Sequence, residues 1–218
     1  MKGLFPLVTL FAAGLIGFGA ISPSSHSSEK NTGYVIGEQA ADFRLKNYDG
    51  TYVSLSDYKD ARGFIVVFTS NHCPYAEAYE DRLVSLHKKF ADKGFPVIAI
   101  NPNAPEANPG DNAQANMAKA KEKKFPFPYL SDSLQHVFPR FGASRTPHVF
   151  VLDADRIVRY SGTVDDNAEI PSRVKKRYVE DAVHKLMVSE DPMPATTKTV
   201  GCKIRLVPRD SITGKVKI

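Results

Sequence analysis

Apolar residues run almost without a break from Phe64 to Thr69 and again from Pro96 to Ile100. Runs this short, rich in β-branched residues, predict strands buried on both faces. Between them Tyr79, Leu83, Leu86 and Phe90 recur at helical spacing. Pro74 suits the first helical position, Glu77, Glu80 and Asp81 load the first half with acid, and Gly94 is a natural stop. Strand, helix, strand in that order predicts a right-handed parallel crossover. Upstream, residues 42–46 and 51–55 alternate apolar and polar around a turn at 47–50, which predicts a β-hairpin. Downstream, 101–111 reads as a loop, 113–124 as a helix by propensity, 128–131 as a short strand and 134–141 as a short helix stopped by Gly142. Residues 148–153 and 157–160 flank Ala154 and Asp155 as a second hairpin. The last helix is expected over 173–187, burying Val174, Tyr178, Val179, Ala182 and Leu186. The tail from 189 to 218 is too polar and too interrupted by proline to predict a core element.

The N-terminus has a different pattern. Met1 and Lys2 precede an apolar stretch from Gly3 to Ile21, followed by Ser and Pro. This is the layout of a secretory leader, with Ala20 and Ser22 as a small-x-small cleavage signal. The stretch is also nearly long enough to span a bilayer, so a retained anchor stays open. No cysteine follows it, which excludes a lipidated N-terminus. The expected organisation is a signal peptide or anchor over 1–21, a flexible linker over 22–33, one α/β domain over 34–188 and a C-terminal tail over 189–218. Export to the periplasm or another extracytoplasmic space follows. The chain has 218 residues, 42% hydrophobic and 24% charged, with net charge +5. Its basic residues are scattered at helical spacing or among acids, which argues against nucleic-acid binding. No Gly-rich phosphate loop follows a strand, so no organic cofactor is expected.

The chemistry centres on Cys73, where the strand ending at Thr69 gives way through Ser70, Asn71 and His72 to the helix opened by Pro74. A helix N-terminus favours a thiolate and so makes a cysteine placed there nucleophilic. A second sulfur three residues on would complete a dithiol, but that position is Ala76. The chain's other cysteine is Cys202.

The element order, with the segments Val67 to Pro74 and Arg145 to Asp153, resembles the thioredoxin-like fold, and within it the redoxin branch, the alkyl hydroperoxide reductase/thiol-specific antioxidant (AhpC/TSA) family. The resemblance covers about residues 36 to 188. It implies a three-layer α/β/α sandwich with a mixed central sheet and an N-terminal β-hairpin. It also implies a cis peptide bond between Thr146 and Pro147, beside which a substrate chain pairs near Cys73 and Pro74. Thr69, Ser70 and His72 are the expected supporting residues. Two imidazoles, His72 and His148, with Cys73 make a soft-metal set, so a copper-handling protein is an alternative; otherwise no metal is expected.

Departures from the peroxiredoxin pattern argue against efficient peroxide reduction. Ser70 fills the hydroxyl position three before Cys73, but Val66 stands where those proteins have proline. Pro147 stands at the position of their arginine, and Arg145 lies two residues earlier. Gly201, Cys202 and Ile204 resemble the C-terminal tail of a subset of exported redoxin-like proteins. Three fates of Cys202 stay open: resolving thiol of a reversible disulfide with Cys73, permanent staple, or unpaired. A permanent link closes a loop of roughly 130 residues and stabilises by about 4–5 kcal/mol in the chain-entropy model. Asp165 and Asp166 are expected to cap the last helix or face solvent. The reading is a thiol–disulfide oxidoreductase with Cys73 as nucleophile and Cys202 as resolver. Its expected partners are a thiol or disulfide protein or small oxidant, and an external thiol reductant. A thiol peroxidase and a non-catalytic binding domain are the alternatives.

Overall fold

A computed structural model describes residues 33–208. The expected leader, nearly all of the linker, and 209–218 lie outside the described residues. The centre is a seven-stranded mixed sheet of order β2-β1-β5-β4-β3-β7-β8. Its strands are β1 (Arg44–Asn47), β2 (Tyr52–Ser54), β3 (Gly63–Phe68), β4 (Val97–Asn101), β5 (Tyr129–Ser131), β7 (His148–Asp153) and β8 (Val158–Gly162). Strand β3 pairs parallel with β4 and antiparallel with β7, so Val66 lies between Ile98 and Phe150.

Every residue of β3 is buried, and its alternation divides the core in two. Ile65 and Val67 face a cluster with Tyr79, Leu83 and Phe90 of α1 (Pro74–Phe90), Ala120 of α2 (Ala113–Glu122) and Val179, Ala182 and Val183 of α4 (Tyr178–Met187). Phe64, Val66 and Phe68 face the other side, where the layer is thinner. There α3 (Phe138–Phe141) and the chain around Ala40 and Phe43 cover an aromatic group of Phe68, Phe141 and Phe150, with ring centroids 5.1 to 5.9 Å apart.

Three local expectations are corrected. The last helix begins at Tyr178, because the Asp166 carboxylate accepts the Lys175 N–H at 2.9 Å and its own N–H donates to the Lys176 carbonyl, holding that stretch out of the helix. Val174 therefore precedes the helix, and Val183 joins its buried face. The helix expected over 134–141 shrinks to α3 because the Asp132 carboxylate takes the N–H groups of His136, Val137 and Phe138, and Gln135 sits at φ 56°. The tail is not free of core contacts: Ile204 and Val207 are both buried, Ile204 within the second cluster.

Candidate active site: two cysteines at one helix start

Cys73 is the N-cap of α1, extended at φ −89°, ψ 116°, with Pro74 at the first helical position. The buried strand β3 ends five residues earlier, so the rigid centre of the sheet fixes where the sulfur sits. Cys73 is 2% exposed. Its Sγ lies 2.9 Å from the Thr146 carbonyl oxygen, to which the thiol donates.

The second wall of the site is a two-stranded sheet formed by β6 (Arg145–Thr146) and β9 (Cys202–Lys203). They pair antiparallel, with Thr146 opposite Cys202 and Arg145 opposite Lys203. The Cys202 N–H donates to Cys73 Sγ at 3.3 Å. Both cysteines are free thiols, Cys73 buried and Cys202 partly exposed. The Thr146–Pro147 peptide is cis, as the resemblance implied.

The tail reaches this point through bonds on both sides of Cys202. Before it, Ser161 at the sheet edge donates to Ala195 O and accepts from Thr197 N, and Tyr160 OH meets Thr197 Oγ1 at 2.6 Å. Arg145 Nη1 donates to the Gly201 carbonyl at 2.8 Å. After it, Ala104 N donates to Arg205 O at 3.0 Å, Arg205 N to Asn103 Oδ1 at 2.7 Å and Val207 N to Gln135 Oε1 at 2.9 Å. Gly201 permits the closest approach. A Cβ there would lie 2.0 Å from the Thr146 oxygen.

The two thiols are electrostatically unequal. Burial pushes the Cys73 thiol up, but hydrogen bonds from the Cys202 thiol and N–H, the Ala76 N–H and the Thr146 side chain outweigh it, so its pKa lies below the ordinary value. Burial, the hydrogen bond to Cys73 and the negative charge there push Cys202 up to about 11, with Arg205 and Arg145 opposing. The pair thus concentrates thiolate character on Cys73.

The other residues expected at the site take different places. Ser70 Oγ bonds to Thr146 Oγ1 at 2.9 Å, so it braces β6. Thr69 and Ser70 line a cavity of about 10 Å³ with Glu80 and Lys119. Pro74 is exposed. His72 is exposed and packs against Gly110, where a Cβ would lie 2.3 Å from its ring. His148 Nε2 bonds to Ser161 Oγ at 2.9 Å, and burial lowers its pKa to about 4. Among the described residues no three His, Cys, Asp or Glu side chains converge in a metal-binding group, which removes the His72, Cys73, His148 copper set. Asp166 faces solvent, as expected, and neither it nor Asp165 caps a helix. Asp165 is buried, bound to Arg82 at 2.6 Å and to Tyr79 OH at 3.0 Å.

Sequence reasoning missed a buried polar network behind the helix start. Asp111, fully buried, accepts from Asn71 N at 2.9 Å and from Asn101 Nδ2 and Asn103 Nδ2 at 2.8 Å. Asn71 Nδ2 donates to Asn116 Oδ1 at 2.8 Å, and Tyr129 OH to Asn71 Oδ1 at 2.8 Å. A carboxylate with this many donors is satisfied without water. The network holds the turn two residues before Cys73. The repeated Asn at 101, 103 and 108 is the available signal, in a stretch whose composition otherwise reads as loop.

Comparison with known proteins bears on the same segments. Residues 36–161 match the model of the AhpC/TSA family. The chain is 26% identical to thiol-disulfide oxidoreductase ResA of Bacillus cereus over 68% of its length and 80% of that protein's. It is 27% identical to the chloroplastic peroxiredoxin Q of Triticum aestivum over 65% of its length and 67% of that protein's. Among solved structures, an uncharacterized conserved protein from Geobacillus kaustophilus is similar at 32% identity and TM-score 0.74, covering 81% of this chain and 94% of that one. A hypothetical protein from Sinorhizobium meliloti is similar at 31% identity and TM-score 0.73, covering 79% and 94%.

Proposed function

Starting from the fact that the chain belongs to the AhpC/TSA family, we propose that it is an exported thiol–disulfide oxidoreductase whose Cys73 and Cys202 cycle between dithiol and disulfide. The observation that carries this reading is the pairing of β6 with β9, which sets the Cys202 N–H 3.3 Å from Cys73 Sγ. Cys73 supplies the thiolate at the helix start, and Cys202 supplies the sulfur missing at position 76. Thr146 and Pro147 hold the strand edge against which the partner sulfur lies. The oxidoreductase relative supports an activity on thiols and disulfides. The apolar leader supports export and leaves a retained membrane anchor open. Among the described residues no helix is long and apolar enough to cross a membrane.

The cycle is tested on the full chain by intact mass and thiol counting after mild oxidation and again after reduction. The expected result is loss of two hydrogens and of both free thiols, restored by dithiothreitol in the folded state. Two free thiols after oxidation would refute the pairing. A disulfide that millimolar reductant leaves intact would make it a staple instead.

The peroxiredoxin relatives favour a second reading, reduction of a hydroperoxide at Cys73. Two observations weigh against it. The Ser70 hydroxyl is committed to Thr146, and Arg145 to the Gly201 carbonyl. A stopped-flow measurement with hydrogen peroxide separates the readings. Sulfenate formation at the rate of free cysteine is expected; a rate orders of magnitude higher would establish the peroxidase.

A further inference from the structure

Within the disulfide cycle just proposed, the two sulfurs are not equally open to a partner. Cys73 is 2% exposed. The Thr146 carbonyl and the Cys202 backbone close over its sulfur. Cys202 is partly exposed, on a strand whose next residue, Lys203, faces solvent. Of the two cysteines, Cys202 is the one that solvent reaches.

Apart from Cys73, the charges that act on that sulfur are the cations Arg205 and Arg145. Arg145 stands opposite Lys203 in the two-stranded sheet, and its guanidinium reaches the Gly201 carbonyl, one residue before Cys202. Arg205 follows on the same tail, exposed like Lys203. Among the described residues none of these three cations has a carboxylate partner. Unpaired charge around a small target raises the local concentration of the opposite ion.

We propose that external thiols exchange at Cys202 rather than at Cys73, and that the Arg145, Lys203 and Arg205 rim selects anionic thiols. An incoming thiolate RS⁻ attacks the Cys202 sulfur of the Cys73–Cys202 disulfide. The R–S to Cys202 bond forms, the bond between the cysteines breaks, and Cys73 departs as the thiolate. A second RS⁻ then attacks the R sulfur of the mixed disulfide, releasing RSSR and Cys202, which takes up a proton. The sum is two RSH plus protein disulfide giving RSSR, Cys73 thiolate, Cys202 thiol and one proton, with two electrons passed from the external thiols to the protein. The lowered pKa of Cys73 suits it to leave, because a thiol of lower pKa departs faster.

The test uses the oxidised full chain with 2-mercaptoethanesulfonate as anionic probe and cysteamine as cationic probe, at matched thiolate concentrations. The reaction is quenched in acid, alkylated and read by peptide mass spectrometry. The expected early product carries the probe on Cys202 and the alkyl group on Cys73; the probe on Cys73 would overturn the proposal. At low ionic strength the anionic probe is expected to react about tenfold faster, an advantage lost in about 1 M salt. The double variant Lys203→Glu with Arg205→Glu should reverse the preference, and both positions are exposed. Equal rates for the two probes would overturn the selectivity. Absence of any Cys73–Cys202 disulfide in the oxidised chain would instead refute the function on which this rests.

Discussion

Strands β3 and β9 both serve Cys73, and they are held by opposite means. β3 leads into the cysteine along the chain, and all six of its residues are buried between two apolar clusters. β9 arrives from 129 residues away and has only two residues, one partly exposed and one exposed. What anchors β9 is a series of single hydrogen bonds at Ser161, Thr197, Arg145, Asn103 and Gln135, with Ile204 and Val207 as its apolar footing. Position and access are therefore set separately. The core decides where the nucleophile stands; the tail decides what reaches it.

Four substitutions or conditions put this division to the test. The largest effect should come from Phe68→Ala, which removes a fully buried ring from β3. A loss of about 3–5 kcal/mol is expected in denaturant unfolding. A loss below about 1 kcal/mol would deny the core its role. Next, Gly201→Val forces a Cβ onto the Thr146 oxygen and should lift β9 from β6. Iodoacetamide should then label Cys73 at least roughly tenfold faster while global unfolding changes little, because local opening costs less than unfolding. Unchanged labelling would mean that the tail is not the cover.

The third effect is a pH dependence. Burial holds the folded-state pKa of His148 near 4, against 6.5 for the free imidazole. The unfolded chain therefore binds a proton that the folded chain refuses, and stability contributed by neutral His148 is lost as pH falls from about 6.5 to 4. Urea titrations across that range should show the loss in the parent chain and a flatter profile in His148→Gln; parallel profiles would exclude His148 as the source. The smallest effect belongs to Thr197→Val, which removes the hydroxyl shared by Tyr160 OH and the Thr163 N–H. About 1 kcal/mol is expected, confined to the tail and read as faster amide exchange at Thr163 and Thr197. Faster exchange throughout β3 would show the tail to be part of the core.

The same division explains what the sequence disclosed. β3, β4 and α1 were legible because apolar burial writes a period into the chain, and Cys73 with Pro74 was legible because a strand-to-helix switch is a local event. The tail was not. Its footing is two apolar residues among polar ones, and most of its bonds run to or from backbone atoms that every residue carries. The Asp111 network was hidden for a related reason. Asn and Asp in a Pro-rich segment look the same whether solvated or buried, and only the fold brings Asn71 and Tyr129 to them. The last helix was misjudged at its start because a single carboxylate, Asp166, holds the preceding turn.

Anchoring on both sides of Cys202 has a kinetic consequence. A sulfur fixed beside its partner acts as a reagent of high effective concentration, already millimolar for a short flexible tether. A dissolved thiol that has displaced Cys73 from the Cys202 sulfur competes with that internal reagent for the same sulfur. Mixed species should then collapse to the internal link unless the reductant is plentiful, so the tail's moorings set the threshold of reducing power at which this protein responds.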